Sequence, residues 1–114
     1  MQLFVHITNH EKTVNPIMKK MMEAGIRGAT IVDCEGMLEE INQDSIDAPA
    51  MFGGLRQFVD PRRECNKMII VVLNDEQVST AMNIVHEVAG SLKLPNTGVM
   101  FCLPVTRWEG VEHD

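Results

Sequence analysis

Residues 3–8 (LFVHIT), 29–34 (ATIVDC), 67–73 (KMIIVVL) and 97–105 (TGVMFCLPV) are short apolar runs rich in β-branched and aromatic side chains. Each predicts a strand. Between the first two, Ile17, Met18, Met21 and Met22 recur at helical spacing. Asn15 followed by Pro16 predicts where that helix begins, with an alternative start near Glu11 and a kink at Pro16, and Gly25 predicts where it stops. Between the last two, Asn74 and Gln77 carry the spacing of a capping box. Val78, Ala81, Met82, Val85, Val88 and Ala89 then form one inward stripe, with Gly90 near its end. Pro104 suits an edge strand or a bulge.

The pattern is thus strand–helix–strand written twice, joined by residues 36–66, a stretch of little periodicity. A connection of about thirty residues inside a small domain is usually functional or disordered. Right-handed crossovers place both helices on one face of a four-stranded sheet. The expectation is one α+β domain over 1–114, a ferredoxin-like βαββαβ sandwich with its long loop between strands 2 and 3.

The third strand adds an assembly to this fold. Met68 to Leu73 are apolar on both faces, yet two helices cover only one. Leaving three such side chains in water forgoes roughly 1.5–3 kcal/mol each, a sum that rivals a domain's stability of about 5–15 kcal/mol. Phe4 and either Met100 or Cys102 are expected to extend the uncovered surface. A second copy of the chain is the simplest cover, so a homo-oligomer is predicted.

Composition narrows the function classes. The chain is 45% apolar and 23% charged, as for an ordinary globular domain. A net charge of −6 and a pI near 5.1 argue against a nucleic-acid surface. No apolar run is long enough to span a membrane and no secretory leader is legible, so the expected location is cytoplasmic. Cys34, Cys65 and Cys102 make no CxxC pair, which favours reduced thiols. The long loop is divided by charge. Residues 37–49 hold Glu39, Glu40, Asp44 and Asp47 without a base, whereas 50–66 hold Arg56, Arg62 and Arg63 with Phe52 and Phe58 among them. Gly53 and Gly54 permit a sharp turn there.

The run 23–36 (EAGIRGATIVDCEG) and the run 67–78 (KMIIVVLNDEQV) resemble the nitrogen regulatory P-II signalling proteins, and the likeness extends over residues 2–105. The resemblance implies a homotrimer whose bare sheet faces form a shared core. It further implies signal transduction without catalysis, through adenine nucleotide bound in clefts between subunits and through a long loop that engages a transporter or enzyme. Carried over by position, the cleft would use Thr30, Gly36, Met37 and Leu38. The turn after the second helix would add Lys93, Asn96, Thr97 and Gly98, and a neighbouring subunit would add Arg107. Phe52, Arg56, Phe58, Arg62 and Arg63 would be the partner-binding part of the loop. The family's Gly-Phe-Gly-Arg-Gln run stands here as Gly36-Met-Leu-Glu-Glu40, and its Gly-Asp-Gly-Lys turn as Pro95-Asn-Thr-Gly98. Lost glycines and added carboxylates argue against ATP and 2-oxoglutarate held in the family's manner. With no tyrosine in the chain, uridylylation of a loop tyrosine is excluded.

Plainer readings stand beside these. Lys93 to Gly98 is also an ordinary helix–strand turn, and the loop arginines also balance the acids next to them. His6 is read as a packed interface residue. His10, His86 and His113 lack zinc spacing, so no metal site is expected. The methionines read as adaptable core filler and the cysteines as packing residues. Trp108 either stacks on a ligand or packs at a subunit boundary. An acyl-phosphatase reading fails for want of a glycine-rich cradle at 8–12, and an RNA-binding reading for want of aromatics on the third strand. The alternative function is an oligomeric binding module of the same fold for a metal or another small metabolite.

Overall fold

The computed structural model describes residues 1–36, 66–93 and 98–111. Strand β1 (Gln2–Thr8) is followed by a single 3₁₀ turn (Glu11–Thr13) and helix α1 (Val14–Glu23). Strands β2 (Thr30–Cys34) and β3 (Asn66–Leu73), helix α2 (Asp75–Ala89) and strand β4 (Val99–Pro104) complete the order. The result is an α+β fold in which one antiparallel sheet, ordered β2-β3-β1-β4, carries two helices.

Local chemistry accounts for the helix ends. Helix α1 begins at Val14, just before the expected Asn15. Thr13 spends its hydroxyl on the His10 carbonyl at 2.7 Å. Pro16 then falls in the first turn, where a missing N–H costs nothing. Gly25, at φ 83°, stops the helix as predicted. The Ile26 amide donates back to Met21 O at 2.8 Å and the Gly25 amide to Met22 O at 3.0 Å, a Schellman closure. Helix α2 opens on the predicted capping box: Asn74 Oδ1 accepts from the Gln77 amide at 2.9 Å, and Gln77 Oε1 from the Asn74 amide at 3.2 Å.

The core lies between the helices and one face of the sheet. Phe4 from β1 and Ile69, Val71 and Leu73 from β3 are buried with Val14, Ile17 and Met21 of α1, Ile26, and Ala81, Ile84 and Val85 of α2. The expected α2 stripe omitted Ile84, and its Val78, Met82, Val88 and Ala89 are only partly buried around this cluster. Pro104 ends β4, which is an edge strand as expected.

The other face carries Leu3, Val5 and Ile7 of β1, paired with Val72, Ile70 and Met68 of β3 on one side and with Leu103, Phe101 and Val99 of β4 on the other. Val32 of β2 continues the row beside Met68. Val99, Phe101 and Leu103 are 52%, 44% and 50% exposed. An uncovered apolar face therefore exists, but its members differ from those expected. Phe4 is completely buried under the helices, and Met100 and Cys102 pack against the same core. His6 likewise shares the helix side with Phe4 and Thr8 and is completely buried. It is a core residue, not a residue of the open face.

Candidate functional site

The register spreads the expected cleft residues along the sheet from one end to the other. At one end, Thr8 stands opposite Lys67, Cys34 opposite Asn66, and Ile7 opposite Val99. Gly36 leaves β2 at this end, and Gly98 enters β4 there. At the other end, Gln2 pairs with Leu73 and with Pro104. Arg107 follows Pro104 at that end and is exposed; Thr30, also exposed, begins β2 level with Ile70 and Val5 in the middle of the sheet. The six steps from Gln2 to Thr8 span about 20 Å at about 3.3 Å per residue. One chain therefore does not bring Arg107 to Gly36 and Gly98. Met37, Leu38, Asn96 and Thr97, and the loop residues Phe52, Arg56, Phe58, Arg62 and Arg63, lie outside the described residues.

Gly98 has a reason to be glycine that owes nothing to a ligand. Its φ is +105°, and a Cβ there would sit 2.4 Å from the Ile7 carbonyl oxygen. Only a residue without a side chain lets β4 start this close to β1. Lys93, after the end of α2, is exposed, and its amide donates to Ser91 Oγ at 3.3 Å.

A polar cluster that sequence reasoning missed closes the helix side at the same end. Lys67 on β3 pairs with Asp33 directly across on β2, and its Nζ lies 3.6 Å from Glu11 Oε1. The hydrogen bond it donates to Asp33 holds the Lys67 ammonium above its ordinary range, with the charges of Asp33 and Glu11 adding to it against some desolvation. This cation already has two carboxylates beside it. Nearby, the His10 amide donates to Thr8 Oγ1 at 3.0 Å. The signal for the cluster was the Asp33/Lys67 pairing, legible only once the register is known.

The opposite end holds a cavity of about 300 Å³. Gly25, Arg27 and Gly28 from the α1–β2 turn, Val72 and Asn74 around the end of β3, Gln77 of α2, and Gly110 and Val111 line it. Its three glycines have positive φ, and a Cβ on any of them would meet nothing within 4 Å. Asn74 and Gln77 are occupied with each other, so Arg27 supplies the cavity's charge. Thr30 and Arg107 lie two and three residues along the chain from Gly28 and Gly110, respectively.

Two further groups respond to burial. Desolvation lowers the His6 imidazole below its ordinary value, opposed by a hydrogen bond to the Val99 carbonyl. It also raises the Cys102 thiol. Among the described residues, no group of His, Cys, Asp and Glu side chains could hold a metal ion, and no helix is long and apolar enough to cross a membrane. Comparison with known proteins returns no matching family model and no matching curated protein.

Proposed function

We propose that this chain is a P-II-like signal-transduction regulator: a ferredoxin-like homotrimer without catalytic activity that senses a small ligand between subunits. The observation that carries this reading is the division of the cleft residues over a sheet with one apolar face uncovered. Gly36 and Gly98 lie at one end, Arg107 and the 300 Å³ cavity at the other, and Thr30 between them. A neighbouring copy that covers the apolar face can set its Arg107 end against the Gly98 end of the first. Each cleft is then completed by two chains, which makes ligand binding report on assembly.

The strand order β2-β3-β1-β4 supports the ferredoxin-like reading, since it is the order two interleaved βαβ units produce. The ligand is an adenine nucleotide, with Lys93 and Arg107 providing its positive contacts. Its binding alters the 36–66 segment, with Phe52, Arg56, Phe58, Arg62 and Arg63 contacting a regulated transporter or enzyme. Calorimetry with ATP, ADP, AMP and cyclic dinucleotides tests the ligand. Binding of one of them below millimolar concentration, weakened by Lys93→Ala and by Arg107→Ala, is the expected result. Binding of none supports the other reading, an oligomeric binding module of the same fold for a metal or another small metabolite.

A further inference from the structure

His6 is completely buried, and its Nδ1 lies 3.0 Å from the carbonyl oxygen of Val99. A carbonyl only accepts, so Nδ1 carries the proton and the neutral ring presents a lone pair at Nε2. That nitrogen is buried with no hydrogen-bond partner among the described residues. A core position that needed only volume would be served better by an apolar side chain, because an unpaired buried nitrogen is costly. What the imidazole provides at this position is the bond to Val99.

Val99 is the first residue of β4, and Gly98 before it fits against the Ile7 carbonyl only because it has no Cβ. The start of β4 is therefore fastened to β1 twice within two residues, by a side chain and by a close backbone approach. Gly98 is itself one of the candidate cleft residues.

We propose that His6 is a positioning residue. Acting through Val99, it fixes where the chain enters β4 and so where Gly98, a candidate cleft residue, is held. The link to the cleft rests on the functional reading above; the fastening of β4 does not.

The test combines ring spectroscopy with three variants, each checked for unchanged oligomeric mass. His6→Asn places an amide donor where Nδ1 stands, His6→Gln places it where Nε2 stands, and His6→Leu removes it. Imidazole nitrogen shifts of the wild type should report the Nδ1–H tautomer. Amides of Val99 and Met100 should exchange faster in His6→Leu and His6→Gln, and ATP should bind about fivefold more weakly, the value of one neutral hydrogen bond. His6→Asn should restore both readouts. An Nε2–H tautomer overturns the proposal, as does wild-type exchange and affinity in His6→Leu. If the wild type binds no nucleotide, the cleft reading fails separately, and tautomer and exchange still decide whether His6 fastens β4.

Discussion

Phe101 stands directly across from Val5 on the sheet face that no helix covers, and it is 44% exposed where Val5 is 5% exposed. Val5 is flanked by Ile70 on its other side, so neighbours in its own sheet hide it. Phe101 is on the edge strand and has neighbours on one side only. Its surface is available to a second copy.

That relationship gives the first prediction. Phe101→Glu puts a charge where the neighbouring copy would lie and should convert the assembly to monomers in sedimentation at micromolar concentration. Because the residue is half-exposed in the single chain, the circular dichroism spectrum should be retained. Met22→Glu, at a position 73% exposed on α1, is the matched control and should leave the mass unchanged.

Gly98→Ala forces a side chain against backbone at a positive φ, and neither the Ile7 carbonyl nor the strand it belongs to can retreat easily. Stability should fall by about 1–3 kcal/mol, read from the urea midpoint. Gly110→Ala, at φ 84° but with open space around it, should cost less.

Asn74→Ala removes the acceptor for the Gln77 amide, while the backbone amide at 74 can still donate to Gln77 Oε1. The expected loss is about 1 kcal/mol in urea denaturation. Thr13→Ala should cost less helix stability, since the Thr13 side chain makes no capping bond.

The pH dependence follows from His6. Its folded-state value lies below the ordinary 6.5 because burial penalises the charged ring. The unfolded chain therefore takes up a proton that the folded chain refuses. Its contribution to stability is complete above about pH 6.5 and is lost as pH falls below that toward the folded value, by at most about 1.4 kcal/mol per unit. Urea midpoints between pH 7.5 and 5 should show this loss, and His6→Asn should flatten it relative to the wild type.

The element order was legible because each signal was local. Asn74 and Gln77 sit at capping-box spacing, Gly25 ends α1, and β3 is apolar from Met68 to Leu73. Which face of β1 and β4 the helices cover was not. Leu3, Val5 and Ile7 are as apolar as Phe4, so alternation alone does not say which set is inside. The histidine of the strand misled, because His6 reads as belonging to the less buried side and lies in the core. The cavity's glycines were visible as residues 25–28 (GIRG), but their meeting with Gly110 needs the chain to return after β4. Lys67 between Asp33 and Glu11 likewise depends on strand register, which no spacing in the sequence encodes.

The most direct test of the account is the solution mass of the intact chain by light scattering coupled to size exclusion, without nucleotide and at micromolar concentration. Copies covering the face of Val5, Ile70 and Phe101 predict one peak at three times the 12.8 kDa chain mass. A peak at 12.8 kDa would contradict it, since the apolar face would then stand in water and no cleft between chains would exist.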